Sequence, residues 1–133
     1  MRFHITTDYA IRIICYMNKH KDECLTAKEL SGELGMTYQY FMKVMNYLKR
    51  ANLVKTVQGC NGGFLLAEQS EELTLYDMVR IMEGDIIINR CLEEDGFCSR
   101  NGTATCQVHK ELSKLQAQIR DSLEKVYIKD LTM

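Results

Sequence analysis

Apolar residues recur at steps of three and four along most of the chain, which predicts a mainly helical protein. Ile5, Tyr9, Ile13, Ile14 and Met17 mark a first helix over about residues 7–19, with Asp8 and Arg12 placed to pair across one turn. A polar linker follows, and Thr26-Ala-Lys-Glu29 then has the spacing of a capping box. The short helix it opens turns Ala27, Leu30 and Leu34 to one side and stops at Gly35. Thr37 can cap another helix at once. Phe41, Val44, Met45 and Leu48 form its inward stripe, leaving Tyr38, Gln39, Lys43, Asn46 and Lys49 outward. Two helices joined by a short turn containing glycine are a helix-turn-helix candidate.

The period then changes. Leu53-Val-Lys-Thr-Val57 and Phe64-Leu-Leu-Ala67 are β-prone runs flanking Gln58-Gly-Cys-Asn-Gly-Gly63, which predicts a hairpin. A hairpin directly after a helix-turn-helix is a wing, and the glycine spacing matches neither standard phosphate-binding loop. Thr74-Leu-Tyr-Asp77 is a second capping box, opening a helix with Leu75, Met78, Val79 and Met82 inward and Gly84 as its stop. Little periodicity follows until Val108, Leu112, Leu115, Ile119, Leu123 and Val126 line up on a long final helix. One small winged domain cannot cover so long a stripe, so pairing with a second copy is the economical solution. The expected organisation is a winged helix-turn-helix DNA-binding domain over 1–84, a cysteine-rich loop over 85–106, and a dimerisation helix and tail over 107–133. The fold class is mainly α with a small β-wing.

Composition narrows the classes. The 133 residues contain no proline, and 46% are apolar, which is enough for a core and excludes wholesale disorder. No run approaches the roughly 18 apolar residues needed to span a bilayer, and the N-terminus lacks a signal-peptide pattern. No membrane association is expected, and a cytoplasmic location is. There, six cysteines are reduced thiols or metal ligands rather than disulfides. The net charge of −1 divides unevenly: residues 1–66 hold nine Lys/Arg against five Asp/Glu, and residues 67–133 hold eight against thirteen. Only the first half is suited to a polyanion.

The chemistry concentrates in Cys91, Cys98, Cys106 and His109. Thiolates and imidazole are ligands for zinc and for iron–sulfur clusters. Cys106 and His109, three apart at a helix start, can face one centre. Structural zinc sites favour close cysteine pairs, whereas intervals of six and seven residues suit separate thiolates around a cluster. Cys15 reads as a small buried hydrophobe, Cys24 lies in a polar linker, and Cys60 falls at the wing tip. No Gly-x-Ser-x-Gly or HExxH occurs, and a thiol redox enzyme or interaction module lacks a Cys-x-x-Cys. No enzymatic activity is expected. A zinc-stabilised or cluster-free, thiol-based winged-helix repressor is the alternative.

Several segments carry a resemblance. They are Thr7-Asp-Tyr-Ala-Ile-Arg12, Thr26-Ala-Lys-Glu-Leu30, Leu48-Lys-Arg-Ala-Asn-Leu-Val54 and Gly59-x-x-Gly-Gly-Phe-x-Leu66. Leu73-Thr-Leu-Tyr-Asp-Met-Val79, Met82-Glu-Gly84 and Val126-Tyr-Ile-Lys-Asp-Leu131 complete the set. Together they resemble the bacterial Rrf-type winged-helix regulators, the group that includes IscR, NsrR, RirA and CymR. The resemblance implies a homodimeric transcription factor reading double-stranded DNA at a pseudo-palindromic operator. The loop cysteines place it nearer the iron–sulfur branch, which senses nitric oxide, redox or iron–sulfur status. There Cys91, Cys98 and Cys106 would bind a 2Fe-2S or 4Fe-4S cluster, completed by His109 or by the partner subunit's Asp8. Thr37, Tyr38, Gln39, Tyr40 and Lys43 would lie at the reading end of the second helix, with Lys28 on the helix before it. Gln58 and Asn61 would be the wing contacts. Gln58 stands where the family usually has Arg, which removes a phosphate or minor-groove contact.

Overall fold

The computed structural model describes residues 1–59 and 62–131. Among these the architecture is five α-helices and a two-stranded antiparallel wing, as the sequence pattern predicts. Helices α1 (Ile5–Lys19), α2 (Ala27–Glu33) and α3 (Tyr38–Arg50) are followed by β1 (Val54–Val57) and β2 (Gly63–Leu66). Then come α4 (Leu75–Glu83) and α5 (Gln107–Glu124), with 3-10 turns at Glu68–Glu72, Arg90–Leu92 and Ile128–Asp130.

Local chemistry explains most boundaries. Thr26 Oγ1 accepts from the Glu29 amide while the Glu29 carboxylate accepts from the Thr26 amide, so the capping box of α2 is closed. Thr74 and Asp77 do the same for α4. Thr37 Oγ1 accepts from the Tyr40 amide at 3.2 Å and starts α3. The first helix differs from its pattern. It begins at Ile5 rather than near Thr7, and Ile5 is 54% exposed instead of belonging to the inward stripe. His4, its N-cap, supplies no side-chain cap, and the acceptor comes from Glu83 at the far end of α4.

The core lies between α1, α3 and α4. Ile13, Ile14 and Met17 of α1 and Met78 and Val79 of α4 are buried with the α3 stripe of Phe41, Val44, Met45 and Leu48. In the wing, Val54 pairs with Leu66 and Val57 with Gly63. Phe64 turns inward and meets Phe41 edge-on, ring centroids 5.9 Å apart. The backbone of Leu25, just before α2, exchanges hydrogen bonds with Phe64 at 3.0 and 2.8 Å, tying the wing's base to the helix-turn-helix. A side chain on Gly63 would collide with the Leu25 carbonyl, which fixes glycine there.

The C-terminal stretch corrects one expectation. The stripe drawn through Val126 overruns the helix, which ends at Glu124. The chain then folds back, with the Leu75 amide donating to Val126 O and the Ile128 amide to Leu73 O, both at 2.8 Å. Ile128 is fully buried against α1. On α5 itself, by contrast, Val108 is 65% and Leu115 45% exposed, and no residue is buried. Among the described residues no helix is long and apolar enough to cross a membrane.

Ile128 is followed by only five residues of the 133, yet the core closes on it. Ile128→Ala is expected to cost about 2–5 kcal/mol of unfolding free energy in urea titration. A loss below about 1 kcal/mol would mean that the returning segment is dispensable to the core.

Candidate functional site

Two groups of residues stand out from the rest of the surface. One is the outer face of α3. Burial of Phe41, Val44, Met45 and Leu48 leaves Tyr38, Gln39 and Lys43 exposed, with Lys49 and Arg50 in the last turn. Thr37 is exposed at the helix start, Lys28 is exposed on α2, and Gln58 is exposed just after β1. Asn61 and Cys60 lie outside the described residues. Tyr40 is placed differently from its neighbours. It is half-buried, its ring edge-on to Tyr9 of α1 with centroids 5.2 Å apart, and the Lys43 ammonium lies 5.6 Å over it. The Arg50 guanidinium sits 5.3 Å over Tyr47, extending the exposed cationic and aromatic edge along α3. Sequence reading did not single out Tyr47 and Arg50, although their i,i+3 spacing is visible in it. A helix that exposes a row of amide, hydroxyl and cationic groups on one face can lie in a DNA major groove.

The other group is the thiol-bearing segment between α4 and α5. Cys91, in the Arg90–Leu92 turn, has its Sγ 3.2 Å from His109 Nδ1. Asn89 Nδ2 also donates to that sulfur at 3.2 Å. Cys106 is the N-cap of α5, its Sγ accepting from the His109 amide at 3.5 Å, so one thiol touches the backbone of His109 and the other its ring. Cys98 and Cys106 line one cavity of about 330 Å³, together with Arg100, Gly102 and Thr105. Amides of Gly102 and Arg100 hydrogen-bonded to the Cys98 sulfur hold its thiol below the usual range, helped by the Thr103 hydroxyl and the Arg100 charge. Cys15 is the opposite case, because burial in the core pushes its thiol up.

Between Cys91 and Cys98 the segment is clipped by a bidentate ion pair. The Arg90 guanidinium donates to Asp95 at 2.5 and 2.7 Å and lies 5.0 Å over the Phe97 ring. This fork, with the Phe97 amide, lowers the Asp95 carboxyl to about 2. Asn89, Arg100 and Thr103 are polar neighbours of thiols that spacing alone did not reveal. Among the described residues, no three His, Cys, Asp or Glu side chains stand close enough together to hold one metal ion. Asp8 is on α1, its carboxylate 2.6 Å from Arg12, beside a cavity of about 680 Å³ that Arg2, His4 and Tyr40 also line. The Arg12 guanidinium in turn lies 5.3 Å over Tyr9. The donor set itself fits a thiophilic metal centre, having soft sulfur ligands and, beside one of them, an imidazole.

Comparison with known proteins places the whole chain. The family model described as "Rrf2: Iron-dependent Transcriptional regulator" matches residues 3–133. A helix-turn-helix-type transcriptional regulator of Aquifex aeolicus is 28% identical over 131 residues, covering 98% of this chain and 91% of that protein. The regulator NsrR of Shouchella clausii is 27% identical over 129 residues, with 96% and 85% covered. Among solved structures, CymR, the global cysteine regulator of B. subtilis, superposes with a TM-score of 0.80 at 19% identity, over 98% of this chain and 95% of that one. T. potens IscR superposes at 0.73 with 20% identity, over 98% and 85%.

The thiol environments give a test that needs no metal. In metal-free protein at neutral pH, Cys98 is expected to be alkylated by iodoacetamide well before Cys15, and to remain reactive as pH falls below the ordinary thiol range. Peptide mass spectrometry over a time course reads the order. Equal rates at the two positions would contradict the environments described.

Proposed function

This chain belongs to the Rrf2 family of transcriptional regulators, and from that premise we propose that it is an iron–sulfur-dependent regulator whose cluster is held by Cys91, Cys98 and Cys106. The family consists of DNA-binding regulators, not enzymes. The observation that carries the finer reading is the approach of Cys91 Sγ to within 3.2 Å of His109 Nδ1, across 18 residues of sequence, on the helix that Cys106 caps. The family's description as iron-dependent supports the same choice of metal. When bound, a 2Fe-2S or 4Fe-4S cluster supplies an iron centre that reacts with nitric oxide and oxidants. The ring of His109 already stands against Cys91 Sγ, which favours it as fourth ligand over the partner subunit's Asp8.

The rest follows from what this chain's own residues do. The helix-turn-helix reads DNA with Thr37, Tyr38, Gln39 and Lys43 of α3, while Tyr40 braces that helix on Tyr9, and Lys28, Gln58 and Asn61 reach the backbone. The uncovered stripe of α5, with Val108 and Leu115 outward, pairs with a second copy and gives a homodimer. Two reading helices related by a two-fold axis call for a pseudo-palindromic operator. The reduced thiols fit a cytoplasmic setting. A second reading, a zinc-stabilised or cluster-free thiol regulator, is favoured by one observation: no three donors converge among the described residues.

Anaerobic reconstitution with iron and sulfide separates the readings. Wild-type protein is expected to take up iron and acid-labile sulfide. Each of Cys91→Ala, Cys98→Ala and Cys106→Ala is expected to lose both while keeping its helical circular dichroism, because the helices have their own caps. Undiminished iron and sulfide in all three variants would overturn the assignment of these cysteines as ligands, and zinc alone in anaerobically purified protein would establish the second reading.

DNA reading has its own test, on a duplex selected by the wild-type protein from a random-sequence pool. Lys43→Ala is expected to weaken binding to all duplexes alike and to lower the salt slope by about 1. Gln39→Ala should cost about 1–3 kcal/mol at one base pair only. If neither affinity nor specificity moves in either variant, α3 is not the reading helix.

A further inference from the structure

Two sequence segments singled out above have no role in the proposed function, Thr7 at the start of α1 and Glu83-Gly84 at the end of α4. The fold joins them. Glu83 is the last residue of α4, and one carboxylate oxygen, Oε1, accepts from the His4 amide at 2.7 Å and from Thr7 Oγ1 at 2.7 Å. His4 gives α1 no cap of its own, so Glu83 supplies both the acceptor and the negative charge that a helix N-terminus favours. Thr7 is fully buried, and its hydroxyl depends on this carboxylate as acceptor.

Three further facts give this contact a direction. Gly84 follows with φ +89° and ψ −166°, a conformation open essentially to glycine alone, and the thiol-bearing segment begins at the next residue. That segment is also fastened to α5, because the Ile88 amide donates to Gln116 Oε1 at 2.9 Å. Beside Glu83 lies a cavity of about 290 Å³, lined also by Phe3, Ile87 and Ile119, into which the carboxylate can swing. On the other side, the turn of α1 that Glu83 caps carries Asp8 and leads directly to Tyr9, the residue against which Tyr40 of α3 rests.

We propose that Glu83 is a positioning residue that latches α1 to the thiol-bearing segment, so that a rearrangement of residues 85–106 is passed to the reading helix. The inference rests on the reading of that segment as the regulated part of the molecule. With the latch closed, the first turn of α1 is held and Tyr9 supports Tyr40. When the segment pulls Gly84 to a new conformation, the carboxylate leaves His4 and Thr7, the first turn of α1 frays, and the support of α3 changes. Glu83 touches neither DNA nor the thiols; it acts through α1.

The test is hydrogen–deuterium exchange on the full chain, metal-free and after anaerobic reconstitution with iron and sulfide, reading a peptide that covers residues 4–9. Glu83→Ala should speed exchange there about tenfold, as expected for losing the bonds that hold a helix end. Glu83→Gln, which keeps an acceptor oxygen, should restore most of the protection. Thr7→Val removes only the hydroxyl bond and should give a smaller effect in a fold left otherwise intact. In wild type, exchange at residues 4–9 should differ between the two preparations, and in Glu83→Ala that difference should vanish while peptides of α3 stay protected. A difference that persists in Glu83→Ala overturns the latch and leaves Glu83 a structural cap. If wild type takes up no iron or sulfide, the cluster reading fails instead, and the latch is judged in metal-free protein by Gly84→Ala. That strained hinge should accelerate exchange at residues 4–9, and unchanged exchange overturns the proposal.

Discussion

Burial of one face of α3 is the constraint on which the rest of this structure depends. Phe41, Val44, Met45 and Leu48 are all fully covered, and covering them from one side only leaves the opposite face free. Each neighbouring element is placed by that requirement. Helix α1 brings Ile13, Ile14 and Met17, α2 brings Leu30, and the wing brings Phe64 onto Phe41. Interiors of this density tolerate little displacement, so the outward residues of α3 are held at fixed spacing without contacts of their own. As the proposed DNA-reading surface, the outer face of α3 inherits its precision from the apolar side of the same helix.

The thiol-bearing segment is built on the opposite principle. None of its cysteines is buried, and it is ordered by polar contacts: the Arg90–Asp95 fork, the Asn89 and His109 contacts to Cys91, and the turn that points amides at Cys98. Segments with few buried apolar contacts open at low free-energy cost compared with a core. Exposed ion pairs contribute little to global stability, so they can set a loop's shape without committing the fold to it. The molecule thus separates a rigidly backed helix face, the proposed reading surface, from a thiol-bearing segment held by polar contacts.

This division also decides what was legible in the sequence. Helices α2, α3 and α4 were readable because their signals are local: Thr26 with Glu29, Thr37 with the Tyr40 amide, Thr74 with Asp77, each stripe repeating within a few turns. The wing was readable from its glycines. What could not be read is what distant segments supply to one another. The start of α1 depends on Glu83, 76 positions beyond Thr7, and no cap motif could announce it. Ile128 was read as part of a tail because its burial depends on the backbone of Leu73. The sequence groups Tyr40 with the residues at the reading end of α3, but Tyr9 covers part of its ring. In the thiol-bearing segment, which side chains touch one another was not readable from spacing. Spacing suggested Cys106 and His109 as neighbours on one helix face, whereas the imidazole faces Cys91 instead.

The position of the thiol segment between α4 and α5 limits the kind of response it can drive. Its N-terminal end is anchored through Glu83 to α1, and its C-terminal end runs into α5. The far end of α5 is in turn fixed by the return of Val126 and Ile128 to the core. Freeing α5 altogether would expose Ile128 and break the bonds to Leu73 and Leu75, a cost of several kcal/mol, comparable to the whole stability of a domain this small. A loop rearrangement held by exposed polar contacts cannot meet that cost. The accessible response is a shift or rotation at the N-terminal ends of α1 and α5 about fixed C-terminal ends. Because the exposed stripe of α5 begins at Val108, two residues beyond Cys106, a small rotation there reorients the surface expected to join two copies. In the proposed dimer, such a rotation would alter the distance between the two α3 helices without either of them losing its core.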